Sequence, residues 1–323
     1  MHFSIRAGTA EWPRKAIAGL AVLLIPLLLL AVAILIQPGA TEFHNADETR
    51  AAAQPERKST TAPPNNRRPA QVLYFSVERS FDLPDGRTIQ NEDILSWDGQ
   101  HLSIFFDGSD VGLAANKISG LAVISPTEIL MTFALPVQLP GLADAITPTD
   151  VVLFTSSEIG NSTSGQWALY FSGRDAGLNS SAEQIDAIEL LPDGILLIST
   201  VGSFHVPGLE GHDEDILAFL PAGSGPHSTG KWSLYLDGSD IEWQGHDVDA
   251  ICVDPEGTLH FSTNDPMTFS IGHLGSADVF AFTPLSLGAV ATGHYRQKLT
   301  FDADLAGLGN NDLKALDIGP PVQ

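Results

Sequence analysis

The 323-residue chain has one cysteine, Cys252, so no internal disulfide can form and a disulfide-stapled scaffold is excluded. Bases are scarce: 16 Lys and Arg face 39 Asp and Glu, a formal net charge of −23. A chain so poor in positive charge lacks the cationic surface that nucleic acid requires, which excludes nucleic acid as a partner. Charged residues are only 17% and hydrophobic ones 43%, too apolar for global disorder and sufficient for a sizeable core. No helical hydrophobic period appears after residue 70. No His-x-His or HExxH string and no nucleophile elbow is present, so no local motif marks a zinc or serine hydrolase.

The acidity is uneven. Residues 1–70 carry eight of the bases and five of the acids, which leaves 34 acids against 8 bases in the remainder. Ala16 to Ile36 is a run of 21 residues without a charge, and at ~1.5 Å per helical residue it reaches about 31 Å, enough for a hydrocarbon core. Arg14 and Lys15 precede it, while Glu42, Asp47 and Glu48 follow. That bias places residues 1–15 in the cytoplasm and the rest on the periplasmic or extracellular side of a single-pass transmembrane helix. A cleaved signal peptide is the rival reading. The run is longer than the usual apolar region and Pro38-Gly39-Ala40 is a poor cleavage site, which favours a retained signal-anchor. Residues 37–70 are polar, rich in Ala, Pro and Thr, and form a flexible linker.

The remainder is repetitive. Leu102-Ser-Ile-Phe-Phe106-Asp-Gly-Ser-Asp110 returns as Trp167-Ala-Leu-Tyr-Phe171-Ser-Gly-Arg-Asp175 and as Trp232-Ser-Leu-Tyr-Leu236-Asp-Gly-Ser-Asp240, with a degenerate copy at Gln297–Asp304. Positions 106, 171, 236 and 301 are each 65 residues apart. Three other strings recur in step: Ile185-Asp-Ala-Ile188, Ile195-Leu-Leu-Ile-Ser199 and Asp215-Ile-Leu-Ala-Phe219, with their counterparts. Each is a short β-branched and aromatic run bounded by Gly, Pro, Asp or Ser, the pattern of a strand. Four strands per unit at a fixed period predict a β-propeller. The chain enters after the linker on the second strand of a unit, at Val72, and ends on a first strand, Leu313 to Ile318. The predicted fold is therefore all-β, a four-bladed propeller over 71–319 closed by the C-terminal strand on the N-terminal ones, with residues 320–323 as a tail. Gly120, Ala187, Ala250 and Ala315 fall at one place on the innermost strands, where the blades crowd the axis.

Blades beginning Ile185-Asp-Ala-Ile188 and Val248-Asp-Ala-Ile251, followed by a Gly turn and an aromatic strand, resemble the layout of hemopexin-type four-bladed propellers. The repeats are also similar to those of uncharacterised exported bacterial proteins. The hemopexin resemblance implies ions along the central channel, with Ile185 to Ala187 and Val248 to Ala250 lining it. The sequence departs from that pattern at Ser119 and Lys314, which replace the Asp in two blades, and in lacking the family's disulfide.

Alternating strand direction puts the loops after second and fourth strands on one rim, which receives most of the acids. Asp107, Asp110, Asp237, Asp240, Asp213 and Glu214 are its candidate binding residues. Asp186 and Asp249, with the strand-opening Asp215 and Asp278, are candidate ligands for a hard cation such as Ca²⁺, which takes about 6–8 oxygens. An Asp in a turn or opening a strand also commonly hydrogen-bonds nearby backbone, so each repeated Asp has a structural role open to it. The expected function is a membrane-anchored binding module whose acidic rim takes a ligand, a basic protein surface or a glycan, with structural Ca²⁺. The alternative is an exported carboxylate-dependent hydrolase or lyase acting on glycans near the axis, with Asp186 and Asp249 as its first candidates.

Overall fold

In the computed structural model, four antiparallel four-stranded sheets are arranged as the blades of a propeller. The description covers residues 71–83, 86–223, 229–270, 272–296, 300–302, 307–308 and 311–319. The candidate membrane segment, the linker and the tail lie outside it. Among the described residues no helix is long and apolar enough to cross a membrane. Contacts divide the chain near Pro63, and the propeller belongs entirely to the unit Pro64–Gln323.

From the inside outward, blade 2 is Ile118–Ser125, Glu128–Phe133, Val151–Glu158 and Ser164–Phe171. Blade 3 is Ile185–Leu190, Leu196–Thr200, Ile216–Pro221 and Gly230–Leu236. Blade 4 is Ala250–Val253, Leu259–Ser262, Phe280–Ser286 and Thr292–Tyr295. Blade 1 takes Val72–Val77, Ile94–Trp97 and Leu102–Phe106 from the start of the propeller, and its inner strand, Leu313–Gly319, from the end. That last strand pairs antiparallel with Val72–Val77, from Val72 opposite Gly319 to Val77 opposite Leu313. The closure expected from the repeat's phase is therefore observed. It covers the inner edge of Val72–Val77 and leaves Leu313–Gly319 as the innermost strand, matching the inner strands of the other three blades.

Apolar residues alternate along these strands and meet between blades. Four buried clusters each join two neighbouring blades, for example Phe106, Phe154 and Trp167 between blades 1 and 2, and Phe171 and Phe219 between blades 2 and 3. The outer strands are latched by a repeated device. Trp167 Nε1 donates to Val111 O at 3.1 Å, Trp232 Nε1 to Ala176 O at 2.9 Å, and the Tyr295 hydroxyl to Ile241 O, each time reaching the turn that leaves the preceding blade. At the axis, Gly120 is the close approach. A Cβ there would lie 2.8 Å from Thr132 Cγ2 and 3.3 Å from the backbone nitrogen of Ile188, so only glycine lets these two inner strands touch.

The registers contain one irregularity that positions the site. Pairing skips Lys314 in blade 1 (Ser76 opposite Ala315, then Val77 opposite Leu313). It skips Ser119 in blade 2 and Asp186 in blade 3 in the same way. A bulge of this kind frees one residue from the ladder and re-aims its side chain. Three blades thus release the same repeat position at the head of the inner strand. In blade 4 the equivalent residue, Asp249, immediately precedes the first paired residue, Ala250.

Candidate axial cation site

Those four residues, Ser119, Asp186, Asp249 and Lys314, surround the mouth of the central channel. They line a cavity of about 550 Å³ together with Asp247, Asp312, Glu78, Arg79, Lys117 and Asn264 among others. Lys314 Nζ lies 2.6 Å from Asp249 Oδ2, 2.7 Å from Asp312 Oδ2 and 3.0 Å from Asn264 Oδ1. Asp249 also accepts from Ser262 Oγ at 2.8 Å. Lys117 Nζ pairs with Glu78 Oε2 at 2.5 Å on the same wall.

Asp186 has no such support. It is 7% exposed, and no amide, hydroxyl or ammonium donor reaches either of its oxygens, which instead face the Asp247 carboxyl. Asp247 Oδ1 and Asp312 Oδ1 are likewise buried without such a donor. Burial, then the charges of Asp247 and Asp249, push the Asp186 carboxyl well above the usual carboxylate range. Burial raises Asp247 to about 6 and Asp249 to about 6, the latter held back by the Lys314 ammonium, and it raises Asp312 to about 7. Burial lowers Lys314, but the carboxylates of Asp249 and Asp312 outweigh it and the net shift is upward, so Lys314 stays charged. Counted formally, five carboxylates and three bases line the cavity, a surplus of two negative charges. A divalent cation, or one bearing several hydrogen-bond donors, is what such a cradle can neutralise.

These shifts fix the sign of a pH effect. A carboxyl whose folded pKa lies above its unfolded value contributes stability that is fully present below the unfolded value and is lost as pH rises through the folded one. In chelator, the melting temperature of residues 64–323 is therefore expected to be higher at pH 5.5 than at pH 7.5, and Asp312→Asn, which removes the group raised to about 7, should flatten the difference. Thermal melts by circular dichroism across that window check it. A melting temperature that climbs from pH 5.5 to 7.5 would contradict the assignment.

The other candidate ligands have different occupations. Asp215 and Asp278 do not line this cavity. Asp215 accepts from His212 N at 2.9 Å and from Gly238 N at 3.0 Å, and Asp278 from Gly275 N at 3.0 Å. Asp93 and Asp150 repeat the pattern, with Gly108 and Gly173 as donors. The strand-opening Asp thus clamps the turn that leaves the same blade. The clamp needs glycine: a Cβ on Gly108, Gly173 or Gly238 would fall 1.9–2.1 Å from a backbone oxygen.

Four of the rim candidates also serve the fold. Asp107 and Asp237 each bind the serine two residues on through backbone and hydroxyl. Asp110 accepts from Thr163 N and Asp240 from Ala291 N, both at 2.9 Å, in the outer hairpin of the next blade. Loops that simple alternation assigns to opposite rims therefore meet at the circumference. Asp213 is half-buried and Glu214 buried, beside the turn into the axis. Sequence reading missed Asp247 and Asp312, which share one repeat position directly before Val248 and Leu313, where the other two blades carry Lys117 and Gln184 and so show no repeated acid.

No family model matches the chain, and no curated protein matches it. Distant likeness to solved structures exists. The PQQ-bound aldose sugar dehydrogenase from Streptomyces coelicolor is 12% identical over 76% of this chain and 95% of its own, with a TM-score of 0.30. YCF48 from Cyanidioschyzon merolae is 11% identical over 72% of this chain and 88% of its own, with a TM-score of 0.26. The extracellular domain of BT4673 from B. thetaiotaomicron is 12% identical over 69% of this chain and 38% of its own, with a TM-score of 0.28. At this distance nothing about ligand or reaction transfers. The likeness to the hemopexin-type layout remains one of blade number.

Proposed function

We propose that this chain is a membrane-anchored, extracytoplasmic binding module whose site is the axial mouth, where Asp186, Asp247, Asp249 and Asp312 hold a hard divalent cation such as Ca²⁺. The observation that carries the reading is Asp186: a buried carboxyl set against a second carboxyl, Asp247, with no amide, hydroxyl or ammonium donor on either oxygen, on a solvent-reachable cavity. A buried polar group without a partner costs about 1–3 kcal/mol, more when charged, and a coordinated cation removes that cost. The bound ion would then present its open positions to an oxygen-rich partner such as a glycan, while a basic protein surface would be drawn to the acidic rim. The membrane anchor rests on the uncharged run Ala16 to Ile36 and its flanking charges.

The test is calorimetric titration of Ca²⁺ into chelated residues 64–323, with melts in parallel. A ligand at 100 times its Kd should stabilise the fold by ~2.7 kcal/mol, and Asp186→Asn should remove most of that gain. No heat and an unchanged melt at millimolar Ca²⁺ would reject the cation. A second reading, a carboxylate-dependent hydrolase, is favoured by one observation: burial drives Asp186 toward its protonated form beside Asp249, which is raised only to about 6 and held back by Lys314. It requires turnover of a glycan that Asp186→Asn and Asp249→Asn each abolish while the fold persists.

A further inference from the structure

Three residues further along the inner strands, at ~3.3 Å per residue about 10 Å deeper, the axis carries a second group of ligand-type side chains. The positions equivalent to one another are Ala122, Glu189, Cys252 and Asp317, one from each blade. Glu189, Cys252 and Asp317 are all buried, and one ligand atom from each lies within 4.8 Å of the others. This trio is separate from the mouth: none of its members lines the cavity there.

The trio is held by backbone amides and by its own thiol. Asp317 is fully held, accepting from Val123 N at 2.5 Å, Ile318 N at 2.6 Å and Cys252 Sγ at 3.4 Å. Glu189, nine-tenths buried, accepts from Val253 N at 3.2 Å on Oε2, and the Leu190 amide and the Cys252 thiol also act on it. The thiol has one proton for two carboxyls, so Glu189 and Asp317 compete for a single donor. The charges that act most strongly on the trio are its own: Glu189 feels Asp317, and Cys252 feels both. Among the described residues no base is shown acting on these three groups, so ionising them together without a bound cation is costly.

We propose that Glu189, Cys252 and Asp317 form a buried binding site for a borderline-soft divalent metal of the zinc type, a structural pin that ties blades 3, 4 and 1 together on the axis. The donor set selects the metal. A thiolate among two carboxylates suits Zn²⁺ far better than Ca²⁺ or Mg²⁺, which take oxygen alone. Bonds of roughly 2.0–2.3 Å around a tetrahedral ion hold its ligand atoms about 3.5 Å apart, so the trio needs about 1 Å of side-chain movement to close. Asp317 is already oriented by two backbone amides, the outer-shell support expected of a metal ligand. Ala122 brings no donor, so the fourth position falls to water. On binding, Cys252 and any proton-bearing carboxyl release their protons to solvent, and no electron is transferred.

Because Cys252 is the only cysteine, a thiolate–metal bond reports on this site alone. Residues 64–323 are unfolded with chelator and reductant and refolded with one equivalent of Co²⁺. A thiolate-to-cobalt charge-transfer band in the near ultraviolet, bleached by Zn²⁺, is the expected result. Cys252→Ser should abolish the band. The near-isosteric Glu189→Gln, which keeps the thiol, should weaken Zn²⁺ by at least about tenfold. Asp186→Asn at the mouth should leave the band unchanged, so failure here is distinct from failure of the Ca²⁺ reading. Absence of the band in the correctly refolded parent, or Zn²⁺ affinity indifferent to Glu189→Gln, would overturn the proposal.

Discussion

A fragment that stops at Asn311, and so lacks Leu313–Gly319, is expected to lose its cooperative thermal transition altogether. The removed strand supplies the inner edge of blade 1 along its whole length. Leu313 and Leu316 are 0% and 1% exposed, and burying two leucines alone is worth about 3–6 kcal/mol. That is already a large part of the ~5–15 kcal/mol that holds a domain together, before the backbone pairing and the axial lysine are counted. Circular dichroism and size-exclusion chromatography of the fragment check it, and a synthetic peptide spanning 311–319 should restore the melt when added in trans. A truncated fragment that melts where the parent does would show that the circle is not what stabilises the blades.

The second large effect concerns Lys314. Its ammonium lies 2.7 Å from Asp312 Oδ2 and 2.6 Å from Asp249 Oδ2, and Asp249 is only 2% exposed. Lys314→Met fills the space but leaves two carboxylates facing each other without compensation. Removing one partner of a buried pair typically costs ~3–5 kcal/mol, and urea unfolding at pH 7.5 should show a loss of that size. The deficit should shrink at pH 5, where the carboxyls take up protons, and Lys314→Met/Asp249→Asn should recover much of it. A double variant no better than the single one would mean that the lysine acts through packing.

The blade plan was legible because two periodicities reinforce each other: alternation within strands, and a 65-residue recurrence between them. Blade number followed from the phase at which the chain enters and leaves, and the Val72–Gly319 pairing realises it. The site was legible only in part. Asp186 and Asp249 stood out as repeated acids, whereas Lys314 in the same column looked like a departure from a family pattern. It is the counter-charge that lets Asp249 be buried. Ala122, Glu189, Cys252 and Asp317 share one column too, but four different residues at one position give no recurrence to detect. The signal of the last three was weaker: polar or ionisable groups inside strands that are otherwise apolar. The rim assignment ran out where strand alternation stops describing geometry. Each blade's outer hairpin reaches back to the turn leaving its predecessor, so Asp110 and Asp240 are fastened to amides of the following blade.

The placement of the sealing strand also sets a timetable for biogenesis. Val72 and Gly319 are partners, yet nearly the whole propeller must be synthesised between them. At ~5–20 residues per second the first strand waits on the order of ten to fifty seconds for its mate. During that interval blade 1 exposes a pairing edge that any passing strand could occupy. A holdase that shields nascent edges, or a circular permutant that makes this pair early, should raise the soluble yield in cells without altering the equilibrium stability of the finished molecule.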